Sequence, residues 1–358
     1  MNTCYAMVLE KQDFFVKKQF PIPEVDADSL LLKVEMVSIC GSDRKHVKGT
    51  HTKSSFPKIL GHEVVGFVVK AGENAKRLYD VKEGDRIIVE PYVGCRSCEY
   101  CLTGNYQSHN PMICYGTTGF DWTQPPYLFG AYSEYLYVVK GSKVFKIGSD
   151  VPAEAACLSS VLANGIRWVR TRGKVKYGES VVIIGPGSQG LASVIAAKES
   201  GAYPIIVAGL SKDSYKFEVA KKLGADFIID LEQEDIVARV NELTGGKMAD
   251  AVIECAGAAP AMAMTLLLAR DCGRIVLAGL TGGQKAQFHV DHIVNNELAV
   301  FGGHGQSWDV EDSCRIINSR KYPVEDIITH RYPLERVDEA MKLFFEAPPE
   351  CIRVGLVP

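Results

Sequence analysis

Val181-Val182-Ile183-Ile184 runs directly into Gly185-Pro186-Gly187-Ser188-Gln189-Gly190, and a helical pattern follows. No other feature of the chain constrains its fold as strongly. A strand that is apolar on both faces needs cover on both, which places it inside a parallel sheet. The G-x-G-x-x-G spacing between a strand and a helix is the arrangement that receives a dinucleotide pyrophosphate. Gly185 permits the tight turn, Gly187 lets the backbone approach the phosphates, and Gly190 lets helix and strand pack closely. The helix N-terminus turns free N–H groups and a positive dipole end toward the same phosphates. A glycine-rich turn in some other α/β domain is the plainer reading, and the alternating elements around the motif weigh against it.

Those elements are regular. Ala153 to Arg170 predicts a helix, introduced by Asp150-Val151-Pro152. Strands are expected at Ser180 to Ile184, Pro204 to Ala208, Phe227 to Ile229, Ala251 to Glu254 and Arg274 to Ala278. Helices are expected between them, at Gly190 to Ser200, Asp213 to Leu223, Asp235 to Leu243 and Pro260 to Leu268. The pattern is that of an α/β doubly wound parallel sheet.

The first 150 residues are β-rich instead. Short apolar runs at Leu30 to Val37, Val64 to Val69, Arg86 to Val89 and Tyr135 to Val139 are separated by Gly, Pro and Asp turns. Cys95 to Gln124 has little periodicity and needs a local cross-link to be ordered. The chain of 358 residues amounts to roughly two domains. The pattern changes place the segments at 1–152, 153–290 and 291–358, the last ending in a strand from Ile352 to Val357.

A carboxylate ending the second strand of such a sheet would hold the ribose hydroxyls of NAD. Counting forward from Gly201 puts that position at Gly209, and counting back from Gly224 puts it at Ser211. Neither is acidic. Gly209, Ser211 and Lys212 offer room, a hydroxyl and a charge to the 2′-phosphate of NADP, so the reading leans to NADP. NAD is the alternative, with Asp213 just beyond and in reach of a ribose.

Net charge is −3, which gives no electrostatic case for nucleic acid or an acidic membrane. No apolar run reaches the length of a membrane span. Met1 to Lys11 lacks the basic-then-apolar pattern of a secretory leader. A soluble cytoplasmic protein is expected.

Of the eleven cysteines, three are crowded. Cys95-x2-Cys98-x2-Cys101-x7-His109 offers three thiolates and an imidazole, the ligand set of a closed tetrahedral zinc site. Free thiols or a redox pair are the alternatives. Cys114, five residues past His109, competes as the fourth ligand.

Cys40-Gly41-Ser42-Asp43 and Gly61-His62-Glu63-Val64-Val65-Gly66 each follow an apolar strand. Each alone is weak, since a lone buried Cys or His is more often a packing residue. With Val81-Lys82-Glu83-Gly84-Asp85-Arg86, Gly130-Ala131-Tyr132-Ser133-Glu134-Tyr135, the cysteine cluster and the glycine fingerprint, however, the chain resembles the zinc-containing medium-chain alcohol and polyol dehydrogenase family over nearly its whole length. The resemblance implies a GroES-like β-rich catalytic domain, to which the C-terminal segment returns, and a Rossmann domain.

By that resemblance, Cys40 and His62 are ligands of a catalytic zinc, and Glu63 is the carboxylate beside the metal. Ser42 is the hydroxyl that binds the substrate oxygen and starts a proton relay. Arg353 resembles a basic residue near the cofactor phosphates and Glu63.

Two positions depart from the family. A further Cys or Glu ligand is replaced by Ser160, which leaves Cys157, Glu63 or water to complete the metal shell. The relay histidine five residues after the cysteine is replaced by Lys45, with His46 next. The implied reaction is hydride transfer between an alcohol or carbonyl substrate and NAD or NADP, in a homodimer or homotetramer. The Ile39 to Asp43 context favours polyols and secondary alcohols. A zinc-free reductase of activated double bonds or quinones and a non-catalytic dinucleotide binder are the competing readings.

Overall fold

A computed structural model describes residues 3–50 and 55–358. Met1 and Asn2, at the head of the stretch tested for a leader, lie outside the described residues. The chain divides into two compact units, Met1–Ser160 with Cys314–Pro358, and Val161–Ser313. The divisions anticipated at 152 and 290 fall earlier than these. The short helix Ala153–Ala156 goes with the first unit, and the strand Ala299–Gly302 completes the sheet of the second.

The first unit is built on a seven-stranded sheet. Its path runs Val144–Lys146, Arg86–Val89, Glu63–Ala71, Leu30–Ser38, Arg353–Val357 and Ile328–Pro333, and Tyr135–Val138 also pairs with Leu30–Ser38. Leu30–Ser38 is buried at all but two of its residues because strands flank it and core side chains cover it. The chain end belongs to this unit: Gly355 pairs with Ser38 and Leu356 with Val37 in antiparallel register. A second sheet of three strands orders Phe14–Pro21, Thr3–Lys11 and Lys58–Ile59. This is the β-rich domain, closed by the C-terminal segment, that the resemblance implies.

The second unit holds six parallel strands in the order Phe227–Asp230, Ile205–Gly209, Val181–Ile184, Ala249–Glu254, Ala269–Leu277 and Ala299–Gly302. Numbered along the chain that order is 3-2-1-4-5-6, the Rossmann order, which binds ligand where it reverses. Val182, Ile184, Ile206, Ala208 and Val252 form the centre of its core.

The helix expected from Ala153 to Arg170 is instead three pieces. An α-helical turn covers Ala153–Ala156, an α-helix covers Ser159–Ile166, and a π-helix covers Arg167–Arg172. The Leu158 amide bonds to Ala155 O, three residues back, which breaks the i−4 ladder. The Gly173 amide bonds to Trp168 O, five back, which widens the last turn. There Arg167 meets Asp309 at 3.5 Å, and the Thr171 hydroxyl donates to Asp309 at 2.8 Å. Periodicity carries no signal for such single-residue changes of ladder.

Candidate metal centres and dinucleotide site

Cys40 directly precedes the helix Gly41–Val47, with extended backbone at φ −95° and ψ 149°. Glu63 opens the next strand of the sheet, and His62 directly precedes it. Antiparallel pairing of Ser38 with Glu63 brings the end of one strand to the start of the other. Gly61 sits at φ +93°, and a Cβ there would lie 2.5 Å from the Tyr132 ring, so only glycine leads the chain into His62. Donor atoms of Cys40, His62 and Glu63 then lie within 4.8 Å of one another.

Asp43 stands behind them. Its Oδ2 accepts from the Cys40 amide and from the Tyr132 hydroxyl, each at 2.9 Å. Its Oδ1 lies 3.6 Å from His62 Nδ1, and both atoms are buried without a hydrogen-bond partner among the described residues. The other ring nitrogen, Nε2, faces the Ser42 hydroxyl at 3.5 Å. Asp43 was quoted in the sequence motif without a role, because its contacts with Tyr132 and His62 arise only in the fold.

Burial disfavours a charged His62 ring, but the Cys40 thiolate and the Asp43 carboxylate outweigh it and push its pKa up to about 10. The pocket therefore attracts positive charge. A divalent cation would satisfy the same acceptors, so the donor set fits zinc.

Glu63 is almost fully buried, and its Oε2 accepts from the Ser38 hydroxyl and from Arg353 Nη1, the latter at 2.8 Å. Arg353 also donates to Ile39 O at 2.7 Å. The structure thus places Arg353 beside Glu63, which is the glutamate part of its expected role. Cys157 is not one of the clustered donors. It is buried and donates to Glu154 O at 3.4 Å, and burial holds its thiol well above the ordinary value. Ser160 is buried near the start of the helix Ser159–Ile166. Lys45 is half-buried on the Gly41–Val47 helix, and its carbonyl accepts from the Thr50 amide at 2.9 Å. His46 is buried, with Nδ1 3.4 Å from Lys58 Nζ.

In the cysteine-rich excursion, Cys95, Cys98, Cys101 and His109 bring their donor atoms within 4.8 Å. Cys95 and Cys101 sulfurs are 3.8 Å apart, and Cys98 Sγ is 3.5 Å from His109 Nδ1. The Ser97 hydroxyl and the Ser97 and Cys98 amides all donate to Cys95 Sγ and bring its pKa down to about 6. A thiol held as thiolate near neutrality is ready to bind zinc. Cys114 lies outside the group: it donates to Tyr115 O, and burial raises its pKa to about 12. His109, and not Cys114, therefore stands with the three cysteines as a candidate fourth donor. A Cβ on Gly94 would sit 3.0 Å from Cys101 Sγ, so the loop closes tightly on the sulfurs.

In the second unit the glycine turn follows the first parallel strand. Gly185 has φ +95°, and a Cβ there would lie 2.7 Å from the Ala256 amide nitrogen. A Cβ on Gly190 would meet Gly185 O at 2.0 Å, whereas one on Gly187 would meet nothing within 4 Å. Gly187 is the N-cap of the helix Ser188–Glu199 and faces open space, where a phosphate could approach. Gly209 ends the second strand, and Ser211, Lys212 and Asp213 form the 3-10 turn after it. Asp213, the ribose partner of the NAD alternative, is buried. It accepts from the Leu210 amide at 3.2 Å and from Lys216 at 2.7 Å.

Residues 26–157 match the Alcohol dehydrogenase GroES-like domain family, and residues 190–317 match the Zinc-binding dehydrogenase family. The chain is 31% identical to D-arabitol-phosphate dehydrogenase of Enterococcus avium, over 92% of this chain and 93% of that one. It is 30% identical to sorbitol dehydrogenase of Halalkalibacterium halodurans, over 96% of each. Its fold matches an alcohol dehydrogenase structure from Thermotoga maritima with a TM-score of 0.91 and 26% identity, covering 100% of both chains. The glycine turn in a Rossmann sheet, the two donor clusters and these similarities agree: the chain belongs to the zinc-containing medium-chain alcohol and polyol dehydrogenase family.

Proposed function

We propose that this dehydrogenase oxidises a secondary alcohol or polyol, or reduces the matching carbonyl, at a zinc held by Cys40, His62 and Glu63. The hydride is exchanged with a nicotinamide dinucleotide bound at Gly185, Gly187 and Gly190. The observation that carries this reading is the convergence of Cys40, His62 and Glu63 within 4.8 Å, with Asp43 behind His62. A zinc-free reductase has no need of that set. Three donors leave a fourth position open, as in catalytic zinc sites.

Zinc bound there would lower the pKa of an alcohol oxygen and polarise a carbonyl. The protein's own residues do the rest. Asp43 stands behind His62 Nδ1, so Nε2, the nitrogen that faces Ser42, is the one that would hold the metal. Glu63, whose Oε2 accepts from Ser38 and Arg353, would offer its carboxylate to the metal. Arg353 neutralises that buried carboxylate. Ser42 Oγ accepts the substrate hydroxyl proton and passes its own to water, since Ser42 is exposed at the start of the helix Gly41–Val47, with Lys45 one turn along. The Cys95, Cys98, Cys101 and His109 set holds a second, structural zinc with no open position.

The assembly is a homodimer or homotetramer. Leu267, Leu280, Val290, Val294 and Val300 are exposed on the second unit, around the edge strand Ala299–Gly302. All eleven cysteines are free, which suits the reducing cytoplasm. A panel of polyols and secondary alcohols, each with NAD and with NADP on zinc-loaded protein, tests the reading. Turnover of at least one alcohol supports it. Turnover confined to enones or quinones points to the reductase reading instead.

A further inference from the structure

We infer that this chain reads the adenosine ribose with Asp230, at the end of the strand beside the customary position, and Glu232, in the turn after it, and therefore prefers NAD to NADP. The inference rests on dinucleotide binding at the glycine turn, as proposed above.

The second parallel strand ends in Gly209, where an acidic residue would ordinarily meet the ribose. In this fold an acidic side chain does not fit there. A Cβ at Gly209 would lie 2.8 Å from Pro186 Cδ and 2.9 Å from Phe217 Cε1. Pro186 belongs to the glycine turn itself. Position 209 therefore adjoins the pyrophosphate turn, yet has no room for a carboxylate.

The third strand supplies one. Gly209 and Asp230 are partners in parallel register, so Asp230 ends its strand at the same edge of the sheet. Asp230 Oδ2 accepts from the Ser211 hydroxyl at 2.6 Å, and Oδ1 accepts from the Glu232 amide at 3.0 Å. Glu232 Oε2 accepts from the Ser211 amide at 2.8 Å. Ser211 is the residue that helix counting assigns to the ribose position. Two carboxylates, one ending the neighbouring strand and one in the turn after it, thus close around it.

Carboxylates with remaining lone pairs accept hydrogen bonds from ribose 2′- and 3′-hydroxyls. Against a 2′-phosphate they set like charges at close range, which disfavours binding. Lys212 is exposed on the same turn and brings one positive charge against two negative ones. Lys216 is already engaged by Asp213 at 2.7 Å. The charge balance at the ribose turn therefore opposes NADP. This reverses the lean taken from Gly209, Ser211 and Lys212 alone, because Asp230 and Glu232 lie about twenty residues downstream and only sheet register brings them back.

The test is a fluorescence titration of the zinc-loaded protein with NADH and, separately, with NADPH. The wild type is expected to bind NADH about tenfold more tightly or better. Asp230→Asn with Glu232→Gln should tighten NADPH about tenfold and shift NADH far less. Circular dichroism confirms that the double variant is folded, and Glu232→Gln alone serves in its place if it is not. Equal or tighter binding of NADPH by the wild type overturns the inference, as does a folded variant with an unchanged NADH-to-NADPH ratio. Binding of neither nucleotide overturns the dinucleotide reading beneath it, an outcome distinct from a reversed preference.

Discussion

Asp43 Oδ1 lies 3.6 Å from His62 Nδ1, and each atom is buried with no other hydrogen-bond partner among the described residues. A carboxylate behind a histidine fixes the ring and raises its basicity as a metal ligand. Asp43→Asn keeps the shape and removes the charge. It should lower zinc affinity at the Cys40 centre by roughly tenfold to a hundredfold. Competition with a fluorescent chelator checks this. An unchanged affinity would mean that Asp43 serves only to anchor Tyr132 and the Cys40 amide.

The cysteine loop makes a paired prediction. Cys98→Ala removes one donor of the closed set, so zinc content should fall by one ion per chain and thermal stability should drop. Cys114→Ala should leave zinc content intact, because Cys114 is turned toward Tyr115 O. Elemental analysis with thermal melts separates the two variants.

The glycine turn separates folding from binding. Gly187 has φ −68° and open space at its Cβ position, so Gly187→Ala should change stability by less than about 0.5 kcal/mol. It should nonetheless weaken NADH binding about tenfold, because the added methyl stands where the pyrophosphate approaches. Gly190→Ala forces a Cβ to 2.0 Å from Gly185 O and should cost about 1–3 kcal/mol of stability. Melts and NADH titrations on both variants check the contrast.

Lys58 gives a pH signature. It is fully buried, donates to Thr117 O at 3.1 Å, and burial lowers its pKa from 10.5 to about 8. Below pH 8 the ammonium is charged in both folded and unfolded chains, and the full penalty of burying it is present. Between about pH 8 and 10.5 the folded chain has released the proton while the unfolded chain keeps it, so stability rises with pH. Relative to Lys58→Met, the wild type should gain on the order of 2–3 kcal/mol across that window. Urea unfolding of both proteins at several pH values measures the difference, and a flat difference would show that Lys58 titrates normally.

What the sequence shows and what it hides follow from contact range. The glycine turn, the parallel strands and the Cys95–His109 spacing are local patterns, and each is found where periodicity and ligand spacing place it. The site's supporting groups are not local. Tyr132 is 89 residues from Asp43, and Arg353 is 290 from Glu63. The clustering of His109 rather than Cys114 turns on the fold of the loop, since Cys114 is buried and its thiol is engaged by Tyr115 O. Asp230 comes beside Ser211 through strand register rather than chain order, and local spacing carries no sign of it. The break at Leu158 leaves no mark on an apolar helical pattern.

Zinc content measured alongside alcohol oxidation, in the wild type and in Cys40→Ser, tests the central claim most directly. The wild type should hold two zinc ions per chain and oxidise a secondary alcohol or polyol. Cys40→Ser should hold one, bind NADH as before and oxidise no alcohol. A metal-replete wild type with one zinc that reduces enones and leaves alcohols untouched would contradict a catalytic centre at Cys40, His62 and Glu63.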